Sequence, residues 1–222
     1  MIRLTKLPVP KKLADNSRQW TNEYLTYFND GVNVGKALPQ TLARAYNHLT
    51  IKQALINETQ GKCAYCESKM LATDPGDIEH ILPKSARPDL CFEWSNLTFA
   101  CTKCNREGKK DYHNDDLPLL NPYIDNPEEY LEAQEAFVFP IGKSGRGDIT
   151  VNTIGLNRAG LLERRKDYLD GLRGLVKVWS MSPPGAPIKC IAEAQLQKRY
   201  ASNNEYSFVI KAFLKSKGFP VK

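Results

Sequence analysis

The sequence predicts an α+β fold in which a small ββα unit lies between two mainly helical regions. Two observations predict it. Two Cys-x-x-Cys pairs bracket a segment with two short strand-like runs, and the flanking segments repeat apolar residues at the three- and four-residue spacing of amphipathic helices. We therefore expect an N-terminal helical region at 1–60, a central unit at 61–118 and a C-terminal mainly helical region at 119–222.

Two helices are expected in the N-terminal region. Ser17 is a suitable N-cap for a helix that runs to about Phe28. Pro39 suits the first turn of a long helix through about Thr59, and Tyr46 belongs to the broken apolar stripe of that helix.

The central and C-terminal elements follow from turn residues and periodicity. Pro127 after Asn126 predicts a short helix to about Gln134, and the glycine-rich run at 142–147 predicts a hairpin loop. The further predictions are strands at 77–83, 97–100, 137–139 and 149–151, a short helix at 102–109, and helices at 157–181, 188–200 and 204–217.

Composition places the chain among ordinary soluble proteins. It has 222 residues, of which 41% are hydrophobic and 25% charged. No apolar run reaches the ~18 residues of a membrane span, and the N-terminus has no secretory h-region. We therefore expect a cytoplasmic protein without a membrane partner.

The net charge of +6 permits a nucleic-acid partner without requiring one. Most of the excess lies at 185–222, where seven Lys and Arg residues face two Glu residues. A solvated helical face and a phosphate-binding surface both remain open for this segment.

Four of the six cysteines form the pairs Cys63/Cys66 and Cys101/Cys104, with 34 residues between the pairs. In a reducing cytoplasm such pairs are usually metal ligands rather than disulfides. Four thiolates suit tetrahedral zinc and leave no open coordination position, so we predict a structural zinc site. A redox role for one pair is the alternative. Cys91 lies outside both pairs, as does Cys190.

Four polar residues accompany this frame in a fixed order. Glu79 and His80 lie within the first predicted strand, Asn96 precedes the second, and Asn105 follows the last cysteine. Each has an ordinary explanation, since histidine is often structural and asparagine favours turns and helix caps. Taken together with the cysteines, they indicate a nuclease-like site.

The motifs C-A-Y-C, D-I-E-H-I-L-P-K, W-S-N-L-T-F-A-C and C-x-x-C-N-R-x-G-K resemble those of the HNH endonucleases, whose fold is a ββα-metal finger. The resemblance covers about 50 residues. It departs at Glu79, where the family commonly has Asp, and Asn105 is a common variant of the family's last His.

The resemblance implies a role for each residue. His80 would be the general base, Glu79 and Asn105 would hold one Mg²⁺ or another divalent cation, and Asn96 would brace the loop that orients His80. The nearby cations expected to bind flanking phosphates of the substrate are Lys103, Arg106, Lys109 and Lys110.

Flanking motifs such as L-L-N-P at 119–122 and I-G-L-N-R-A-G-L-L-E-R-R at 154–165 resemble the PtuB-like HNH subunits of the Septu and retron anti-phage systems. The resemblance implies a nuclease that works beside a PtuA-like ATPase subunit, in retron versions with a reverse transcriptase and its DNA. DNA is the favoured substrate, and tRNA is the other. A catalytically silent zinc module that binds nucleic acid or protein is the alternative function.

Overall fold

The computed structural model describes residues 1–28, 37–70 and 74–221. The helices and strands are α1 (Lys11–Leu25), α2 (Gln40–Ala43), α3 (Leu49–Glu58), β1 (Asp77–His80), β2 (Leu97–Ala100), a π-helix (Lys103–Lys109), β3 (Leu131–Gln134), β4 (Phe137–Pro140), α4 (Gly145–Ile154), α5 (Ala159–Met181), α6 (Pro187–Arg199) and α7 (Ser207–Ser216). The predicted α+β class, with a central ββα unit and helical flanks, is confirmed.

The central unit is an antiparallel pair of four-residue strands followed by the π-helix. Asp77 lies opposite Ala100, and His80 lies opposite Leu97. The predicted strand at 77–83 ends at His80, and the Ile81 amide then donates to the Asn96 carbonyl at 2.8 Å. All four residues of β2 are buried, so this strand anchors the pair to the core.

Helix α1 begins earlier than the sequence predicts. Pro10 is its N-cap, and the amides of Leu13 and Ala14 both donate to the Pro10 carbonyl. A proline before the first turn loses no helical hydrogen bond, so it starts the helix instead of preventing it. Ser17 therefore lies inside the helix rather than at its cap, and the helix ends at Leu25 instead of Phe28.

The predicted long helix at 39–59 is wrong, because it is broken between Ala43 and Leu49. His48 caps the start of the second helix. Its ring Nδ1 lies 2.8 Å from the Thr50 hydroxyl and accepts from the Thr50 amide at 3.3 Å. This cap begins α3 and leaves Tyr46 in the irregular segment between the two helices.

Two C-terminal predictions are also wrong. The expected helix at 126–134 is a single 3₁₀ turn, after which β3 pairs with β4 in a hairpin. The expected returning strand at 149–151 lies inside α4, because the Ser144 hydroxyl accepts the Gly147 amide at 3.1 Å and caps a helix there. Gly155 ends α4 in the left-handed conformation, with φ of 66°. The strand at 137–139 and the three last helices are confirmed within a few residues.

The C-terminal region packs directly against the central unit. Gly108 lies so close to α4 that an added Cβ would meet the Thr153 and Ile154 carbonyl oxygens at 3.0 Å. The buried Lys62 ammonium donates to the Asn204 carbonyl at 3.0 Å, and the Glu205 carboxylate accepts the Lys69 amide at 2.7 Å. Both contacts fix the turn that carries the first cysteine pair. Among the described residues, no helix is long and apolar enough to cross a bilayer.

Arg165 on α5 is the largest of the fully buried side chains, with 1% of its surface exposed. Its Nη1 donates to the Ala136 carbonyl at 3.1 Å and to the Leu156 carbonyl at 2.8 Å. One guanidinium group thus links α5 to the β3–β4 turn and to the end of α4.

Replacement Arg165→Ala should lower the free energy of unfolding by about 2–4 kcal/mol, because two buried carbonyl groups lose their donor and a cavity opens. Denaturant unfolding measures it. The neighbouring Lys166 is exposed, so Lys166→Ala should change stability by less than about 0.5 kcal/mol. Equal stability of the two variants would show that the Arg165 bonds do not hold this region together.

Candidate metal centre and catalytic cleft

Four cysteine side chains converge at one point of the central unit. The Sγ atoms of Cys63, Cys66, Cys101 and Cys104 all lie within 4.8 Å of one another, and the Cys66 and Cys101 Sγ atoms are 3.9 Å apart. Tetrahedral zinc with bonds of ~2.3 Å requires sulfur atoms ~3.8 Å apart. The cluster therefore fits a four-thiolate metal site.

A guanidinium group lies against this cluster. Arg158 Nη1 is 3.6 Å from Cys104 Sγ, and Nη2 is 4.0 Å from Cys101 Sγ. A buried group of thiolates keeps net negative charge even with a divalent ion, and a neighbouring cation offsets part of its desolvation cost. The position of Arg158 is thus consistent with cysteines that are ionised and metal-bound.

His80 is held in one orientation by two contacts. Its Nε2 lies 2.9 Å from the Cys91 carbonyl oxygen, and its ring meets the Tyr46 ring edge-on with centroids 4.6 Å apart. A carbonyl oxygen only accepts, so Nε2 carries the hydrogen and Nδ1 keeps a lone pair. The neutral ring can therefore accept a proton at Nδ1.

Burial controls the charge of His80. Desolvation lowers the pKa of His80 to about 3, with smaller contributions from the ammonium groups of Lys84 and Lys109 in the same direction and an opposing one from the Cys91 carbonyl. The imidazole is thus neutral near pH 7, which is the form required of a general base.

Glu79 is buried beside a lysine. Its Oε1 lies 2.7 Å from Lys109 Nζ, and the same ammonium donates to the His80 carbonyl at 2.9 Å. Apart from this ion pair, Oε1 has no partner among the described residues. Burial raises the pKa of Glu79, and Lys109 opposes that shift. Glu79 thus presents a buried carboxylate whose Oε1 is paired with the Lys109 ammonium.

Asn105 faces the start of β1. Its Nδ2 donates to Asp77 Oδ2 at 3.1 Å. Arg106 forms a bidentate salt bridge with the same carboxylate, with bonds of 2.6 and 2.8 Å. With Nδ2 directed at Asp77, the Asn105 side-chain oxygen remains available to a cation. The sequence analysis gave no role to Asp77, although it lies only two residues before Glu79.

Asn96 braces the loop between the strands. Its Oδ1 accepts the Leu82 amide at 2.7 Å, while Nδ2 donates to the carbonyl groups of Leu82 at 3.0 Å and Leu90 at 3.2 Å. Leu90 immediately precedes Cys91, whose carbonyl holds His80. Asn96 therefore acts on His80 through the loop backbone and not by direct contact.

The four predicted phosphate-binding cations have different surroundings. Lys103 is exposed and pairs with Glu107 at 2.7 Å, and Arg106 is exposed and pairs with Asp77. Lys110 is exposed. The expectation fails for Lys109, whose side chain is 2% exposed and pairs with Glu79, because the π-helix turns it inward.

A small cavity of about 160 Å³ brings His80, Glu79 and Asn105 together. We call it the catalytic cleft. Tyr46 and Lys84 also line it, and the Lys84 ammonium donates to the Tyr46 hydroxyl at 3.1 Å. The sequence analysis missed both residues. Tyr46 lies far from the motifs in sequence, so no local pattern pointed to it. Lys84 is the last residue of the motif D-I-E-H-I-L-P-K, and its place in that motif could have been used to predict it.

The central ββα unit is similar to a known protein family. Residues 63–111 match the family model described as HNH endonuclease. The chain contains an HNH endonuclease domain. The match spans both cysteine pairs, β1, β2 and the π-helix, so the HNH domain comprises the metal centre and the catalytic cleft together.

Relatives extend the similarity beyond the HNH domain. The chain is 30% identical over 161 residues to Septu protein PtuB of Bacillus thuringiensis, which covers 71% of this chain and 55% of that protein. It is 30% identical over 151 residues to Septu protein PtuB of Bacillus mycoides (strain KBAB4), covering 54% and 51%. A Vibrio cholerae serotype O1 biovar El Tor protein, assigned by name to retron Vc95, is 30% identical over 136 residues, covering 55% and 65%. The chain spans about half the length of the two Septu relatives.

Replacement Cys101→Ser should reduce bound metal from about one ion per chain to a small fraction and lower the melting temperature by about 10 °C or more, because the site closes the HNH domain. Elemental analysis and thermal unfolding measure this. The exposed Cys190 provides the control, since Cys190→Ser should leave both values unchanged. Full metal content in Cys101→Ser would rule out the four-cysteine site.

Replacement Asn96→Ala should lower the free energy of unfolding by about 1–3 kcal/mol, because three loop hydrogen bonds are lost. Hydrogen exchange should show faster opening at 81–91 than in wild type, while the cysteine site keeps its metal. Uniform acceleration over the whole chain would mean that Asn96 supports the fold in general and not this loop.

Proposed function

We propose that the chain is a metal-dependent endonuclease that hydrolyses phosphodiester bonds, with DNA the favoured substrate and tRNA the other. The observation that carries the proposal is the arrangement of His80, whose Nε2 is held by the Cys91 carbonyl while Glu79 and Asn105 share its cleft. A base with a free nitrogen beside oxygen donors is the arrangement that metal-assisted hydrolysis requires.

His80 has the central role in the proposed reaction. Its Nδ1 accepts a proton from water as that water attacks phosphorus, and the Cys91 carbonyl stabilises the imidazolium that results. The phosphorus–oxygen bond to the leaving sugar oxygen breaks in the same step, and that oxygen takes a proton from solvent water. Asn96 and Tyr46 keep the ring in place during the transfer. Water is the nucleophile in this scheme, so no covalent intermediate with the protein forms.

Glu79 and Asn105 fit a hard cation such as Mg²⁺, since both present oxygen atoms and Glu79 Oε1 is buried without a hydrogen-bond partner in the described part of the chain. When bound, such an ion stabilises the negative charge that develops on phosphate oxygens. The Lys109 ammonium pairs with the Glu79 carboxylate at 2.7 Å. The cysteine cluster, which we assign to zinc, has a structural role and takes no part in the reaction.

The ion pair between Glu79 and Lys109 also favours the alternative function, a silent zinc module, because a carboxylate held by lysine is less free to bind a cation. Glu79 also stands where the HNH family commonly has Asp. The two functions differ in one respect only: the enzyme requires His80 for cleavage, whereas a binding module does not.

Similarity to Septu PtuB and to a retron protein supports a place in a bacterial anti-phage defence complex. We propose that the nuclease works in the cytoplasm with a PtuA-like ATPase, and with a reverse transcriptase and its DNA if the system is a retron. The basic segment at 185–222 is a suitable docking or substrate surface, since Lys198, Arg199 and Lys215 are exposed there. Replacing these three residues by Gln separates the two roles, because loss of ATPase co-purification with cleavage retained indicates docking.

Plasmid DNA and total tRNA, each with Mg²⁺ and with EDTA, test the proposed activity. The protein is purified alone and with its co-expressed ATPase. Replacement His80→Ala should reduce cleavage about 10²–10⁴-fold, because the proton acceptor is removed. His113 does not line the catalytic cleft, so His113→Ala should cut as wild type does.

Metal content of the cysteine site and the unfolding curve serve as controls for folding. Cleavage by His80→Ala at the wild-type rate would contradict the proposed mechanism. If neither protein cuts under any condition while both keep their metal, the silent module is the correct function.

A further inference from the structure

A second cavity continues the catalytic cleft along the protein surface. Its volume is about 430 Å³, and it shares Tyr46, Ile78 and Asn105 with the cleft, so the two form one groove. We call the second cavity the flank groove. Its walls come from two parts of the chain that lie far apart in sequence, the segment at 44–52 and the start of β1 with the π-helix. The lining residues are Arg44, Tyr46, Asn47, Lys52, Pro75, Gly76, Asp77, Ile78, Asn105 and Arg106.

We infer that the flank groove binds the phosphodiester backbone beside the bond that is cut, and that Arg44 and Lys52 are its phosphate-binding cations. The inference rests on the proposed nuclease function. It assigns substrate binding to the N-terminal helical region, to which neither the sequence motifs nor the family match extends.

Arg44 is available for such a contact. It is exposed, and its side chain has no hydrogen bond or ion pair within the described ranges. Its backbone is nevertheless fixed, because the Arg44 amide donates to the Gln40 carbonyl at 3.1 Å at the end of α2. A free guanidinium on a fixed backbone suits bidentate recognition of phosphate.

Lys52 is held in place by a different contact. Its ammonium donates to the Gly76 carbonyl at 2.8 Å, which brings α3 to the residue before β1. An ammonium has three donors, so two remain for a ligand in the groove. The side chain is half-buried, and no carboxylate pairs with it in the part of the chain that the structure describes.

The charge of the groove agrees with an anionic ligand. Arg106 is neutralised by Asp77 in the bidentate salt bridge, so the positive potential of the flank groove comes from Arg44 and Lys52. Lys84 and Lys110 extend it into the catalytic cleft, where Asp111 is the opposing charge outside the Glu79–Lys109 pair. A backbone that follows the groove therefore meets cations in both cavities.

Tyr46 fixes the distance between this groove and the chemistry. Its ring packs edge-on against His80, and its hydroxyl accepts from Lys84. The segment between α2 and α3 is thereby attached to the catalytic histidine. Arg44, two residues before Tyr46, cannot move far from the cleft without breaking these contacts. The break between α2 and α3 therefore places this segment at the cleft, which a continuous helix would not do.

Salt-dependent binding tests the inference. The His80→Ala protein is used as the background so that bound nucleic acid is not cut, and the probes are a fluorescent DNA duplex of about 30 base pairs and a labelled tRNA. Dissociation constants are measured over a range of salt concentrations. Arg44→Ala should weaken binding of the true substrate about 3–10-fold and reduce the slope of log K against log salt by about 0.9 for duplex DNA or about 0.7 for a single-stranded segment.

Arg18 provides the matched control, because it is an exposed arginine on α1 that lines neither cavity. Arg18→Ala should leave the salt slope for the cleft-bound probe unchanged, and Lys52→Gln should repeat the Arg44→Ala effect. The probe whose slope changes identifies the nucleic acid that occupies the groove.

Failure of the inference and failure of the proposed function give different results. If wild type cuts one of the probes with Mg²⁺ but Arg44→Ala and Lys52→Gln bind with the unchanged slope, the flank groove is not a substrate site and the nuclease function stands. If wild type neither binds nor cuts either probe, the proposed function fails and the inference fails with it.

Discussion

Convergence of four thiol groups is the constraint on which the catalytic cleft depends. Cys63 and Cys66 follow α3, whereas Cys101 and Cys104 follow β2, so a metal bound by all four closes the chain around β1 and the loop after it. Strands of four residues have too few hydrogen bonds to be stable alone. The loop closed by the metal supplies the missing stability. The C-terminal region supports it through the Asn204 carbonyl, which accepts from Lys62, and through Arg158, which lies against the cysteines.

Within that frame, the orientation of His80 comes from backbone groups rather than from charged side chains. The Cys91 carbonyl fixes the tautomer, and Asn96 fixes the stretch of loop from which that carbonyl extends. The carbonyl partner adds no second charge to desolvate, and burial keeps the imidazole neutral near pH 7. The Tyr46 ring completes the support from a region outside the HNH domain.

Each buried charged side chain has a different kind of partner. Glu79 is matched by Lys109 inside the cleft, Arg165 is matched by two carbonyl groups in the core, and Arg158 lies against thiol groups. Surface cations are less constrained: Arg106 is paired with Asp77, while Arg44 is not paired in the described part of the chain. Arg44 lies beside the cleft and adds positive potential there.

The cysteine spacing and the two strand-like runs were enough to predict the metal cluster and the ββα unit, because these residues are close in sequence and their geometry is local. The sequence did not predict the break before α3 or the helix α4. Both depend on single side chains, His48 and Ser144, that cap a helix where periodicity indicated something else. Only the tertiary structure decided that Lys109 turns inward and that Tyr46 meets His80, since contacts between distant segments depend on packing, which no local pattern records.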